Sequence, residues 1–225
     1  MASKKLAAAT GVLRKWTVYE VWGLILLVWA LYRYYVKLPE WADEFIFKPL
    51  IFVVPIAWYV SKKEKRPMET LGLTTKNFFK SVYIGLGFGF LFAAEGLLVN
   101  YVKYGKININ PIEAYNQYGL VLLLILSLAT AYSEELLSRG FVFYRVYEDK
   151  KNVYVAALIS TLMFLMIHIP ILVTSLHFTG TTLILFFVTD FILGLANSLL
   201  FFNTGSLVAP ILVHLFWNMT VALYL

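Results

Sequence analysis

The sequence contains no cysteine, only three histidines and few charged residues, which make up 14% of its 225 residues. Without cysteine, thiol catalysis, disulfide bonds and cysteine-ligated metal sites are excluded, and the redox compartment stays undecided. What the sequence has in excess is apolar surface, because 60% of the residues are hydrophobic and the mean hydropathy is +0.75. A soluble domain of this size has too little interior for so many apolar side chains. The composition therefore predicts a multi-pass protein embedded in the lipid bilayer.

Seven apolar segments are long enough to cross a bilayer, which requires roughly 20 residues of helix. They predict an all-α bundle of about seven transmembrane helices, at residues 17–36, 45–61, 78–102, 117–138, 153–174, 181–202 and 206–225. The first 16 residues carry four basic side chains around a short apolar run. They predict an N-terminal interfacial helix, with a frayed tail as the alternative.

Lysine and arginine are unevenly divided between the two sets of connections, and cytoplasmic loops are the ones enriched in them. Fourteen lie in the N-terminal, 62–80 and 139–151 segments, whereas the alternate connections carry five, namely Arg33, Lys37, Lys48, Lys103 and Lys106. This asymmetry predicts a cytoplasmic N-terminus. The net charge of +6 is thus a topology signal, and because the basic residues follow no single face, we expect no nucleic-acid partner.

Several polar side chains lie inside the apolar segments, where each costs a few kcal/mol and so needs a structural or functional reason. For three of them, Glu95, Asp190 and Asn197, the sequence predicts no specific role, since they can line a cavity or bond to neighbouring helices. The remaining members of this set are Glu134, Glu135, Arg139, His168, His214 and Asn218.

Glu135 and Arg139 are four residues apart, so on a helix they face each other and predict an ion pair. Glu134 is turned roughly 100° away from that pair and has no such local partner. The pair by itself fits a structural lock between two helices as well as it fits a functional site.

Glu134 and His168 lie at matching heights on two neighbouring segments. Glu134 is fifteen residues before Asp149 and His168 is sixteen after Asn152, on either side of the polar turn between the segments. At 1.5 Å per helical residue, both side chains stand roughly 22–24 Å from that turn. A carboxylate and an imidazole are therefore predicted to meet inside the membrane.

His214 and Asn218 form a second pair four residues apart, so both point to one face of the last helix. Two hydrogen-bond donors on one face can stabilise a developing oxyanion, although they can also simply bridge helices. Combined with a buried glutamate that acts as a general base for water, they predict peptide hydrolysis without a covalent intermediate. A zinc site of one glutamate and two histidines is the rival, but the HExxH spacing is absent. A serine nucleophile, from Ser133 or Ser138, is the weaker alternative.

Three motifs in order resemble those of the CPBP group, the CAAX proteases and bacteriocin-processing enzymes. EELLSR at 134–139 is similar to EExxxR, FLMIH at 164–168 to FxxxH, and HLFWN at 214–218 to HxxxN. With LGL at 71–73 as a lead-in, the resemblance covers residues 71–218. It implies that a catalytic bundle of residues 71–225 follows an N-terminal part, 1–70, that holds the interfacial helix and two spans.

The resemblance also implies roles for individual residues and a shape for the site. Glu134 and His168 would activate water, and His214 and Asn218 would form the oxyanion hole. Glu135 and Arg139 would support these catalytic residues from behind. These residues would lie in a conical cavity open to the cytoplasm and to lipid. No cofactor would be required.

The expected function is therefore intramembrane glutamate-type endopeptidase activity in a prokaryotic cell membrane. Members of the group cut after prenylated cysteines or act on unprenylated peptides, bacteriocins or membrane-protein partners. The expected substrate is accordingly a peptide or a protein C-terminus, with or without a lipid. The alternative is a non-catalytic immunity or scaffold protein that uses the same bundle to bind a peptide or membrane partner.

Overall fold

The computed structural model describes residues 17–108 and 113–222. The predicted N-terminal interfacial helix lies outside these residues. The described residues form seven helices and no strand, which confirms the all-α fold. The helices are α1 (Val18–Tyr35), α2 (Glu40–Glu64), α3 (Phe78–Tyr104), α4 (Tyr118–Lys150), α5 (Val153–Leu176), α6 (Gly180–Thr204) and α7 (Val208–Ala222).

Five of these helices, α2 to α6, are long and apolar enough to cross a membrane. Within their most apolar windows, between 22% and 50% of the residues are buried in the protein, so half or more face outward. Outward-facing apolar surface of this extent suits lipid and not water. The described part of the chain is thus a helical membrane bundle, with α1 and α7 as shorter helices beside the five long ones.

Three connections lie together at one end of the bundle, which we call the base end. They join α2 to α3, α4 to α5 and α6 to α7. The amide of Leu207 donates to the carbonyl of Gly72 at 3.1 Å, and the Arg66 guanidinium pairs with Glu148 at 2.5 Å. These contacts tie the three connections to one another.

The connections from α1 to α2 and from α5 to α6 lie together at the opposite end, which we call the mouth end. Arg33 donates to the Ser175 hydroxyl at 2.8 Å. The Lys37 ammonium donates to the carbonyl of Thr174 at 3.2 Å. The alternation of the connections between the two ends means that successive helices run antiparallel.

Helix α4 continues past the predicted limit of residue 138 and ends at Lys150. Its stretch Leu136–Phe143 winds as a π-helix, and all eight of its side chains are buried. Residues 139–150, which are predicted as part of the connection 139–151, therefore belong to α4. Arg139 and Arg145 are accepted in the interior because each has a glutamate partner, and the Arg145 partner is Glu64 at 2.6 Å.

Helix α3 packs along α7 through two glycines. A Cβ atom on Gly85 would lie 2.9 Å from the Cβ of Leu212, and one on Gly89 would lie 2.5 Å from the ring of Phe216. Gly87, between them, has open space around it. The absence of a side chain at the first two positions lets the backbones approach, which fixes the position of α7 and of the polar residues on it.

Candidate active site

A cavity of about 410 Å³ lies between α2, α4, α5, α6 and α7. It reaches from the middle of the bundle to the mouth end, where Glu40 and Phe178 line it. No residue of the base-end connections contributes to the wall that the structure describes. The polar groups that line the cavity are Glu40, Glu44, Lys48, Ser127, Thr130, Glu134, His168, Asp190, His214 and Asn218.

Glu134 projects from α4 into the inner part of this cavity, where it is only 5% exposed. Its Oε1 accepts a hydrogen bond from the Lys48 ammonium at 3.0 Å. Its Oε2 makes no hydrogen bond to any described protein group, and lies 3.6 Å from Nε2 of His168 and 3.7 Å from Nε2 of His214. These two separations are too long for direct hydrogen bonds, but a small polar molecule can bridge them.

His168 reaches Glu134 from the neighbouring helix α5, as the equal heights of the two residues predict. Its Nδ1 lies 3.0 Å from the carbonyl of Phe164, one turn earlier. A carbonyl can only accept, so Nδ1 must carry the proton. The opposite nitrogen, Nε2, therefore faces the cavity and accepts a hydrogen bond whenever the ring is neutral.

Glu135 points away from the cavity and lies in a fully buried polar network. Its Oε1 accepts from Nδ1 of His214 at 2.8 Å, from the Asn197 amide at 2.9 Å and from the Arg139 guanidinium at 3.1 Å. The predicted ion pair of Glu135 and Arg139 is thus present, and both residues have no exposed surface. The second Arg139 amino group donates to the carbonyl of Gly194 on α6 at 3.0 Å. One carboxylate therefore joins α4 to α6 and α7.

The contact with Glu135 determines which nitrogen of His214 faces the cavity. Because an ionised carboxylate only accepts, Nδ1 of His214 is the donor, and Nε2 points toward Glu134. This Nε2 becomes a second donor when the ring is an imidazolium. Asn218 lines the cavity one turn further along α7, and its amide donates to the Ser127 carbonyl at 3.4 Å.

The ring of Phe164, in the FLMIH motif, packs between the two histidines and the buried arginine. Its centroid lies 4.7 Å from that of His168, 5.8 Å from that of His214 and 4.5 Å from the Arg139 guanidinium carbon. The edge-to-face contacts hold both imidazoles, while the ring face accepts the cation. Phe164 thus connects the Glu135 network to the cavity through packing as well as through its carbonyl.

Lys48 is the site residue that the sequence reasoning placed incorrectly. The charge pattern assigns Lys48 to a connection outside the membrane. In the structure it lies in α2, and only 5% of its surface is exposed. Its ammonium bonds to Glu134 and, at 2.7 Å, to Glu44, whose carboxylate also accepts from the Thr130 hydroxyl. The Trp29 ring lies 5.8 Å from the nitrogen. The four-residue spacing of Glu44 and Lys48, inside an apolar segment, was the available signal.

The three polar residues without a predicted role take different positions. Asp190 lines the cavity, accepts from the Trp217 indole at 3.2 Å and lies 3.9 Å from Nε2 of His168. Asn197 belongs to the Glu135 network and also donates to the carbonyl of Pro210 at 3.2 Å. Glu95, on α3, is partly buried. Asp190 therefore belongs to the site, while Asn197 stabilises the helices behind it.

The residues that the zinc alternative requires have other partners in this arrangement. The Lys48 ammonium forms an ion pair with Glu134, and Nδ1 of each cavity histidine is hydrogen-bonded to a protein oxygen. Among residues 17–108 and 113–222, no group of three or more histidine, aspartate and glutamate side chains has the arrangement of a metal site. An ammonium group beside Glu134 also opposes the approach of a divalent cation.

Comparison with known proteins gives one match. Residues 116–220 match the family described as type II CAAX prenyl endopeptidase, Rce1-like. This segment is just under half of the chain and contains all three motifs, whereas Glu44 and Lys48 lie outside it. Neither the curated proteins nor the solved structures contain a match to the chain.

Proposed function

Residues 116–220 belong to the CAAX protease family of membrane-embedded endopeptidases, and from that premise we propose that the protein hydrolyses a peptide bond with water activated by Glu134 and His168. The observation that supports this most directly is the environment of Glu134 Oε2. It is buried, makes no hydrogen bond to a described protein group and faces the Nε2 atoms of His168 and His214. An acceptor in this position is suited to take a proton from a water molecule.

In the proposed reaction, water contacts Glu134 Oε2 and Nε2 of His168. Nε2 accepts one water hydrogen and so orients the molecule. The water oxygen attacks the carbonyl carbon while Glu134 accepts the other proton. When the carbon–nitrogen bond breaks, Glu134 passes that proton to the leaving amine. The products are a carboxylic acid and an amine, and no covalent intermediate is formed.

The oxyanion of the tetrahedral intermediate would be stabilised by His214 and Asn218. An imidazolium at His214 donates through Nε2, and the Asn218 amide lies one turn away on the same helix face. Removal of one such donor typically lowers kcat about 10²- to 10³-fold. Glu135 holds the His214 ring in place through its Nδ1, and Arg139 in turn holds Glu135 through an ion pair that is hidden from solvent.

The outer wall of the cavity favours a substrate with an apolar segment next to the cleaved bond. Hydrophobic side chains line it between the polar groups and the mouth end, and these are Leu123, Leu126, Ile171, Leu176, Phe178, Phe186 and Trp217. Burial against such a wall is favourable both for the apolar residues of a peptide and for a prenyl chain on cysteine. Peptides with and without a farnesyl group therefore need to be compared directly.

The test uses protein purified in detergent, the Glu134→Gln variant and a peptide library in both lipidated and unlipidated forms. Mass spectrometry should show defined cuts by the wild type in excess chelator, and loss of at least 10³-fold in rate for Glu134→Gln. Glutamine keeps the size of the side chain but removes the base. Equal cleavage by the two proteins would overturn the assignment, and loss of wild-type activity in chelator would overturn the metal-independent mechanism.

A second candidate is a non-catalytic protein that binds a peptide or membrane partner in the same cavity. The ion pair between Lys48 and Glu134 favours it, because the ammonium, at 3.0 Å, occupies one oxygen of the carboxylate that catalysis requires as a base. On this alternative, Glu134→Gln leaves the cellular phenotype of the protein intact. On the catalytic proposal, the same variant abolishes it.

A further inference from the structure

The cavity opens at the mouth end, and the charges on the chain indicate on which side of the membrane that end lies. We infer that the mouth faces away from the cytoplasm, so that the substrate is a peptide segment on the non-cytoplasmic side of the membrane. The assignment of the substrate rests on the proposed function, whereas the orientation in the membrane is independent of it.

The location of the opening follows from contacts between connections. Phe178, in the α5–α6 connection, and Glu40, at the start of α2, both line the cavity. The α1–α2 connection is bonded to the end of α5 through Arg33 and Lys37, so these elements share one end of the bundle. Glu134 lies deeper, near the middle of α4, and the base-end connections are bonded to one another behind it.

Burial corrects the count of positive charges at the two ends. Lys48, Arg139 and Arg145 are buried inside the bundle, so none of them is counted with a connection. In the described part of the chain, eight basic residues remain near the base end, namely Lys62, Lys63, Lys65, Arg66, Lys76, Lys80, Lys150 and Lys151. Near the mouth end there are four, namely Arg33, Lys37, Lys103 and Lys106.

Lysine and arginine in short connections keep a connection in the cytoplasm, and acidic residues contribute little to this choice. All the connections in question are short enough for the rule to apply. The base end is therefore the cytoplasmic end, and the mouth faces the other side. This orientation is opposite to the cytoplasmic opening that the family resemblance implies.

The orientation limits which peptide bonds can reach Glu134. A C-terminus that is prenylated in the cytoplasm does not meet a mouth on the other side of the membrane. An exported peptide, or the non-cytoplasmic end of a membrane protein, does meet it. The apolar outer wall suits the region where such a segment leaves the lipid.

The lack of cysteine makes a direct test possible, because any single introduced thiol is the only one in the protein. Thr179→Cys, in the mouth-end connection, and Thr75→Cys, in the base-end connection, are matched, since both threonines are exposed. Intact cells are treated with a membrane-impermeant maleimide. Thr179→Cys should be labelled at once, and Thr75→Cys only after the membrane is permeabilised. The reverse pattern, or equal labelling of both in intact cells, would overturn the inference.

A second measurement determines the orientation without labelling, in case one of the introduced thiols reacts poorly even in detergent. Alkaline phosphatase fused after the last residue, at the mouth end of α7, should be active, because this enzyme folds only outside the cytoplasm. An inactive fusion beside a fluorescent fusion of green fluorescent protein would contradict the orientation. Glu134→Gln should give the same labelling and fusion results as the wild type, since neither readout requires catalysis.

The consequence for the substrate is tested separately. A quenched fluorescent peptide that the purified enzyme cuts is added outside sealed right-side-out vesicles. Cleavage by the wild type and not by Glu134→Gln is expected, and cleavage that appears only after the vesicles are opened would overturn the substrate assignment. If the labelling succeeds but no peptide is cut even by purified protein, the proposed function fails while the orientation stands.

Discussion

The Lys48 ammonium lies 3.0 Å from Oε1 of Glu134, so a residue of α2 is bonded to the proposed base on α4. The bond uses one carboxylate oxygen and leaves the other, Oε2, directed at the two imidazoles. It also supplies a positive charge inside a cavity that Glu44 and Asp190 line with carboxylates. Lys48 is thus placed to hold the Glu134 side chain in one rotamer, although it lies outside the segment that matches the protease family.

Replacement of Lys48 by methionine should lower kcat more than it changes KM. A hydrogen bond to a charged group contributes about 1.5–3 kcal/mol, so a loss of roughly 10- to 100-fold in kcat is expected. The measurement is steady-state cleavage of any peptide that the wild type cuts. Lys48→Arg, which keeps the charge, should recover part of the rate. If Lys48 only blocked the base, Lys48→Met would raise kcat, and if it were only structural, the folded fraction would keep the wild-type kcat.

The sequence predicted the meeting of Glu134 and His168 because helical rise is regular and the turn between their helices is marked by polar residues. It also predicted the pair of Glu135 and Arg139 from their four-residue spacing. These predictions need only local geometry, which the helix imposes. The roles assigned to these residues in catalysis remain predictions.

The full surroundings of Lys48 and Arg139 could not be predicted from the sequence, because each has partners in other parts of the fold besides its local glutamate. Hydropathy and charge counts assign a lysine or arginine to a connection unless a counter-charge is known. Lys48 is neutralised by Glu134, which is 86 residues away, and Arg139 is held against the ring of Phe164. The same reasoning explains why α4 was predicted to end too early.

Replacement of Arg139 by methionine should strongly destabilise the fold, because it leaves the Glu135 carboxylate buried without its cation. Removal of one partner of a buried ion pair costs about 3–5 kcal/mol. The measurement is unfolding of the detergent-solubilised protein, followed by tryptophan fluorescence. The double variant Arg139→Met/Glu135→Gln should regain part of the loss, since no buried unpaired charge remains.

The control for this experiment is an arginine–glutamate pair at the base end. Arg66 and Glu148 pair at 2.5 Å, but their side chains are 40% and 32% exposed. Arg66→Met should therefore cost only about 0–1 kcal/mol. Equal losses for Arg66→Met and Arg139→Met would show that burial of the Glu135 network has no special weight, and would contradict the prediction.

Two glycines on α3 should respond oppositely to the same substitution. Gly85→Leu should destabilise the protein by about 1–3 kcal/mol or more, because its side chain collides with Leu212 and with the backbone of Ala209 on α7. Gly87→Leu has open space and should stabilise α3 by about 0.5–1 kcal/mol, since leucine favours a helix more than glycine does. Thermal unfolding in detergent measures both. Similar stabilities of the two variants would show that α3 does not pack on α7 through Gly85.

The hydrogen bonds of the two cavity histidines predict their protonation at Nδ1. The Phe164 carbonyl requires a proton on Nδ1 of His168, and the Glu135 carboxylate requires one on Nδ1 of His214. Nitrogen-15 NMR of histidine-labelled protein measures this directly. The chain has only three histidines, and the exposed His177 can be removed to assign the others.

Both cavity rings should show a protonated Nδ1 at neutral pH, and Glu135→Gln should change the signals of His214 while those of His168 stay in place. The glutamine can turn its amide to donate, which releases His214 to adopt the other tautomer. Such a change would move the proton to Nε2, the nitrogen that faces Glu134. A neutral His168 with its proton on Nε2 would contradict the water orientation proposed above, because that nitrogen could then no longer accept.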